Sequence, residues 1–297
     1  MPRKLLKILL VLALLINLIG CRTQVPTDSQ NDKKVRIITS FYPVYIMTLN
    51  LTQGISGIEV ENMAPAAAGC LHDYQLTPQN LIALKQADII IVNGGGMESF
   101  MDKVGQEVPP DQIVTASQGL KLLKDDNGEE NPHVWVSVSG AIDETRNINR
   151  QLAQLLPQYA GQLQANSDAY VRKLEQLNEQ MKNELAGISK RNIVTFHEAF
   201  PYFARDFGLN IVAVVQSEPN TEPSARELAV IIDKVKQTGT TALFIEPQYQ
   251  GVSVNTIARA TGAQVYTLDP AVTGEYTPDA YIKIMQNNLQ TLKEALH

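Results

Sequence analysis

Cysteine is almost missing from this chain of 297 residues, which has only Cys21 and Cys70. A scaffold stapled by disulfides is excluded, so stability must come from packing. An excess of positive charge is missing too. Lys and Arg number 25 against 31 Asp and Glu, a formal net charge of −6. An acidic body argues against nucleic acid as a partner. Histidine is scarce, with four in the chain, and no short metal motif of the H-E-x-x-H kind is present. The turn Asn93-Gly94-Gly95-Gly96 lacks the lysine and spacing of a phosphate loop. It reads as a tight turn that lets backbones approach.

Long apolar runs are also few, and the clearest one opens the chain. Arg3, Lys4 and Lys7 form a basic start, and the stretch from there to Ile19 is apolar but for Asn17. That pattern is a signal peptide, residues 1–20, too short and too early for a spanning helix. The segment Leu18-Ile19-Gly20-Cys21 resembles the lipobox of bacterial lipoproteins. The resemblance implies that Cys21 becomes the first mature residue and carries lipid, which would hold the protein at a membrane surface. Cys70 would then have no partner. Removing the three early cations makes the remainder more negative still. Residues 21–34 are polar, with almost nothing to bury, and are expected to form a lipidated tether.

The body reads as alternating strands and helices. Val35 to Phe41, Ile58 to Val60, Ala87 to Asn93 and Gln112 to Thr115 are β-branched or apolar runs. Thr77 to Gln86 is a helical pattern with Thr-Pro capping chemistry at its start. Ala141 to Leu156 reads as a helix stopped by Pro157. From Gly161 to Ala186, Leu163, Tyr170, Leu174, Leu177, Met181 and Leu185 recur near helical spacing. A second series follows, with strand candidates at Asn192 to Phe196, Asn210 to Val215, Thr241 to Ile245 and Gln264 to Leu268. The expected fold is α/β: an N-terminal lobe of residues 35–156, a rigid linking helix within 157–189 and a C-terminal lobe of 190–297, each lobe with a parallel sheet.

Three histidines and one aspartate sit where such a fold builds sites. His72 lies in the loop after the second strand. His133 lies in Asn131-Pro132-His133-Val134-Trp135, with the only tryptophan. His197 and Asp269 each directly follow a strand, and open α/β sheets bind ligands outside the carboxyl ends of their strands. Three imidazoles and a carboxylate suit Zn²⁺, and the same donors can hold Mn²⁺ or Fe²⁺. Taken singly, each has a plainer reading: a hydrogen-bonding loop histidine, or an aspartate capping a helix. Glu246 ends a strand on the same rim and is expected behind the ligands, orienting an imidazole. A Cys70 thiolate would be a strong zinc ligand. Its spacing from His72 makes joint ligation awkward, so it is expected as a thiol beside the site. His297, the last residue, is given no role. The short acidic stretch with Asp125, Asp126, Glu129 and Glu130 reads as a solvated turn.

The motifs H-D-Y-x-L-T-P, N-P-H-V-W, F-H-E-A-F-x-Y-F and L-D-P, in that order, resemble those of the metal-binding lipoproteins of ABC importers, the cluster A-I or cluster 9 solute-binding proteins. The likeness runs from about Val35 to the end. It implies two α/β lobes joined by a rigid helix, with one metal between them held by His72, His133, His197 and Asp269. It implies no enzymatic activity, a membrane permease as partner and a monomer outside the cytoplasm. Manganese members of this family tend to carry Glu at the third position, so His197 points to zinc. Glu198, next to it, is the minority candidate for that position. Many zinc-specific relatives have a long His-rich loop before N-P-H, and this chain has only the short acidic stretch. The alternatives are a manganese- or iron-binding member, a surface adhesin, or a zinc hydrolase with an open metal position.

Overall fold

Each half of the chain begins with a short apolar strand that can be buried only in the middle of a sheet. The computed structural model describes residues 33–65, 68–104, 108–124, 128–216, 222–249 and 251–297. The signal peptide, Cys21 and the tether up to residue 32 lie outside the described residues, as do Asp125 and Asp126. In chain order the elements are β1 (Val35–Thr39), α1 (Tyr42–Leu51), β2 (Ile58–Asn62), α2 (Pro78–Gln86), β3 (Ile89–Val92), α3 (Met101–Val104), β4 (Ile113–Thr115) and α4 (Val138–Leu155). Next come α5 (Ala160–Leu185), β5 (Asn192–Thr195), α6 (Pro201–Phe207), β6 (Asn210–Val214), α7 (Ala225–Thr238), β7 (Ala242–Ile245), α8 (Val252–Thr261), β8 (Gln264–Thr267) and α9 (Ala280–Leu296). The α/β reading and the long helix between two sheets are both observed.

The two sheets have the same order, β2-β1-β3-β4 and β6-β5-β7-β8, and every pair is parallel. Winding reverses between β1 and β3 in one sheet and between β5 and β7 in the other. Such a switch point opens a crevice at the carboxyl ends of the strands. All four residues of β3 are buried, as a strand covered on both faces requires. Local caps agree with the pattern: Thr77 and Asn80 form a capping box on α2, and Ser224 and Glu227 form one on α7.

At the usual helical rise the 26 residues of α5 span about 39 Å. It packs on α4 and α1 from the first half and on α9 and α6 from the second. Asn166 on α5 donates to the carbonyls of Leu51 and Gln53, both at 2.9 Å. Lys293 on α9 reaches Glu184 on α5 at 2.6 Å. One apolar core includes Ile37, Ile91, Trp135, Leu177, Phe203 and Leu289, so it runs beneath both sheets. A smaller cluster of Val194, Val215, Ile231, Val235, Leu243 and Ile257 sits under α7 and α8. Hydrogen bonds also join the halves directly: Tyr42 Oη donates to the Glu275 carbonyl at 2.7 Å and Asn50 Nδ2 to that of Pro278 at 2.8 Å. No helix among the described residues is long and apolar enough to cross a membrane.

Candidate metal centre

The first sheet's switch point is organised around a buried carboxylate. Glu98 accepts from Ser40 Oγ at the end of β1 and from the amides of Asn93 and Gly94 at the end of β3, at 2.7, 2.8 and 3.0 Å. Burial pushes its pKa up, against those hydrogen bonds. Gly94 has φ +83°, and a Cβ there would stand 2.4 Å from Thr115 Cγ2, so only glycine fits this turn. Asn93 Nδ2 donates to the Pro132 carbonyl at 2.9 Å, which fixes the segment carrying His133.

His133 is buried and held by Asn131. Asn131 Oδ1 accepts from the His133 backbone amide at 3.0 Å and from His133 Nδ1–H at 3.1 Å. The proton therefore sits on Nδ1, and the lone pair of Nε2 points away from it. Asn131 Nδ2 donates to the Glu198 carbonyl at 2.9 Å, and Tyr202 Oη donates to the Asn131 carbonyl at 2.8 Å. One asparagine thus sets a tautomer and ties the two halves together. In the sequence it is marked only as the first residue of the N-P-H-V-W motif, with nothing to show its role. Before it, Lys124 is bridged to Glu130 and the Asn131 amide donates to the Leu123 carbonyl.

His133 Nε2 lies 3.2 Å from His72 Nε2 and 3.4 Å from His197 Nε2. A tetrahedral ion with Zn–N bonds of about 2.0–2.1 Å has ligand edges of about 3.3–3.4 Å. Both observed separations match such an edge. Burial, aided by the charge of His197, lowers the pKa of His72 and lowers that of His133 well below its ordinary value. Both rings therefore stay neutral and offer lone pairs.

His197 differs. It is buried, which alone would lower its pKa, but its Nδ1–H donates to Glu246, itself buried at the end of β7. Glu246, with help from Cys70, lifts His197 to about 10. Gln248 Nε2 in turn donates to the other Glu246 oxygen at 2.6 Å. A protonated His197 turns its Nε2–H toward Nε2 of His133, 3.4 Å away.

Asp269 is partly buried at the end of β8. Its backbone amide donates to Asn288 Oδ1 at 2.9 Å, and its carbonyl accepts from Asn288 Nδ2 at 2.7 Å, so α9 holds it in place. One carboxylate oxygen accepts from the Ala271 amide at 2.8 Å. Ala271 has φ +59°, a left-handed conformation costly for a residue with a Cβ, here imposed by the turn beside Asp269. Burial raises the Asp269 pKa to about 6, against that hydrogen bond and helped by the charge of Glu246.

Among the described residues, the donors that all lie within 4.8 Å of one another are those of Cys70, His133 and His197. Asp269 stands outside that group, and His72 joins it through His133. Cys70 Sγ is 3.9 Å from His197 Nε2, and burial pushes its pKa up. Two residues of spacing make Cys70 and His72 awkward joint ligands of one ion. The structure has it facing His197 while His72 faces His133. The Glu198 carbonyl, as described, is engaged by Asn131.

A family model described as zinc-uptake complex component A, periplasmic, matches residues 37–295. The zinc-binding lipoprotein AdcA of Streptococcus pneumoniae is 29% identical over 310 aligned residues, covering 97% of this chain and 60% of the relative. The chain therefore spans about three fifths of that relative's length. The high-affinity zinc uptake system protein ZnuA of Bacillus subtilis is 27% identical over 294 residues, covering 92% of this chain and 91% of the relative. The solved structure of the SBP FpvC of Pseudomonas aeruginosa, in complex with Mn²⁺, superposes with a TM-score of 0.79 at 28% identity, covering 89% of this chain and 99% of that one. With nearly all of its two-sheet body matched, the chain belongs to the zinc-uptake complex component A family.

Proposed function

We propose that this protein captures a divalent transition metal cation, zinc foremost, outside the cytoplasm and delivers it to the membrane permease of an ABC importer. The observation that carries the reading is the pair of Nε2–Nε2 separations, 3.2 and 3.4 Å, among His72, His133 and His197. His133 stands between the other two rings at the edge length of a tetrahedral zinc site, and neutral imidazole is a good zinc ligand. Asp269 is the fourth donor, supplying a carboxylate oxygen from the second half of the chain. Asn131 and Glu246 fix the rings of His133 and His197, which sharpens affinity and geometry. Three imidazoles rank zinc above the harder Mn²⁺ or Fe²⁺, both of which the same donors accept.

The cation is cargo. Ligation by four protein groups leaves no open position for a metal-bound water, which argues for binding over hydrolysis. The shared core and the hydrogen bonds between the halves favour small shifts of the loops around the cation over wide hinge closure. Lipid on Cys21 and the tether of residues 21–34 would keep the body near its permease. The two relatives, a zinc-binding lipoprotein and a zinc uptake system protein, agree with this reading. Elemental analysis of protein purified without added metal tests it. One zinc per chain is expected; a metal-free protein that also fails to take up added zinc would contradict it.

A further inference from the structure

The proposed fourth position has two claimants, on different loops. Asp269 belongs to the second half and is bound at both backbone polar groups to Asn288 on α9. Cys70 belongs to the first half, on the same loop as His72. In the structure it is the sulfur, and not the carboxylate, that lies within 4.8 Å of both the His133 and His197 nitrogens. A tetrahedral ion with a Zn–S bond of about 2.3 Å and a Zn–N bond of about 2.0–2.1 Å sets its sulfur about 3.5–3.6 Å from each nitrogen. Cys70 Sγ, at 3.9 Å from His197 Nε2, exceeds that edge by a few tenths of an ångström, and it lies within 4.8 Å of the His133 donor.

The chemistry of the two claimants differs. A carboxylate oxygen suits hard cations such as Mn²⁺, whereas a thiolate selects softer ones such as Zn²⁺ and Cd²⁺. A thiol that coordinates such an ion loses its proton to the solvent, and the ion's charge stabilises the thiolate. We propose that Cys70 is a specificity-determining residue of this site. Its sulfur joins His133 and His197 around a thiophilic cation, with His72 brought in beside His133, and Asp269 serves the harder ones. The inference rests on the three-histidine site proposed above and adds a ligand that the family resemblance does not supply.

Cobalt(II) separates the two readings, because a Co²⁺–thiolate bond gives an intense near-ultraviolet charge-transfer band, while tetrahedral coordination of any donor set gives visible d–d bands. The full chain is titrated with Co²⁺ as wild type, Cys70→Ser, Cys70→Ala and Cys21→Ser. Wild type and Cys21→Ser should show the charge-transfer band at one Co²⁺ per chain. Cys70→Ser and Cys70→Ala should lose it and keep d–d bands. Competition titrations should show zinc affinity falling about tenfold in Cys70→Ser, with Mn²⁺ affinity unchanged. Stoichiometric, tetrahedral Co²⁺ in wild type without the near-ultraviolet band would overturn the role of Cys70 and leave the histidine site standing. Failure of wild type to bind Co²⁺ or Zn²⁺ at all would overturn the site itself. The wild-type spectrum decides the question even if a Cys70 variant fails to fold.

Discussion

The indole N–H of Trp135 donates to the carbonyl of Pro270 at 2.8 Å. Trp135 stands two residues after His133, and Pro270 directly follows Asp269. One hydrogen bond thus ties a histidine of the first half to the carboxylate of the second. The indole is fully buried, edge-on to Phe41 with ring centroids 5.0 Å apart, and the Trp135 carbonyl accepts from Tyr281 Oη at 2.8 Å. Trp135→Phe keeps most of the apolar bulk but leaves the Pro270 carbonyl without its donor. A stability loss of about 1–3 kcal/mol is expected. Zinc affinity should fall with it, measured by competition titration below the melting range. Lost stability with unchanged affinity would show that this bond holds the fold and not the site.

Metal binding should depend on pH in two ranges. His197 keeps its proton up to about pH 10 in the metal-free protein, and a cation at Nε2 must expel it. Affinity should therefore rise with pH, by about tenfold per unit across the neutral range. Below about pH 6, Asp269 takes up a proton too, and the dependence should steepen. His72 and His133, with lowered pKa values, add to it only at still lower pH. Chelator competition from pH 5 to 9 measures both ranges (a span chosen to bracket the carboxyl and imidazole values). A flat profile above neutrality would contradict a protonated His197.

Glu246→Gln removes the charge that raises His197 and keeps an oxygen able to accept from Nδ1–H. The competing proton becomes easier to displace, so the slope above neutrality should flatten. The imidazole also becomes a weaker donor. At alkaline pH, where the proton no longer competes, zinc affinity should drop by about 10–100-fold. The same titration, run on the variant, reads both changes.

Glu144 on α4 offers a test of stability apart from the site. It is fully buried, and neither carboxylate oxygen has a hydrogen-bond partner among the described residues. Burial raises its pKa well above the ordinary value, and the charges of Glu98 and Asp143 add to this. The folded state therefore binds this proton more tightly than the unfolded chain. The stabilisation is complete below about pH 4.3 and is lost at up to about 1.4 kcal/mol per unit as pH rises toward the folded value. Glu144→Gln should be more stable than wild type at alkaline pH and nearly equal to it in acid. Urea unfolding at several pH values checks this, and parallel pH profiles would contradict it.

Much of the fold was legible because its strands are short β-branched runs with turns between them, and because α5 repeats its apolar residues at helical spacing. The helix α1 was not. Its sequence, Tyr42-Pro43-Val44-Tyr45-Ile46-Met47-Thr48-Leu49-Asn50-Leu51, is buried at most positions. A helix covered nearly all round has no polar face and so no period to read. At the site, the places of His197, Asp269 and Glu246 followed from strand ends and that of His72 from the loop after one, whereas His133 came from its N-P-H-V-W segment. Asn131 did not, because fixing a tautomer leaves no spacing pattern. The orientation of Cys70 was not legible: chain spacing gives its distance from His72, but the fold decides which histidine it faces.

Equilibrium competition titration of the metal-free protein with Zn²⁺, wild type beside His197→Ala, tests the central claim most directly. The wild type should bind one zinc per chain with submicromolar affinity, and the variant should lose most of it. Equal affinity in the two proteins, or no submicromolar binding in the wild type, would contradict a metal centre built on these histidines.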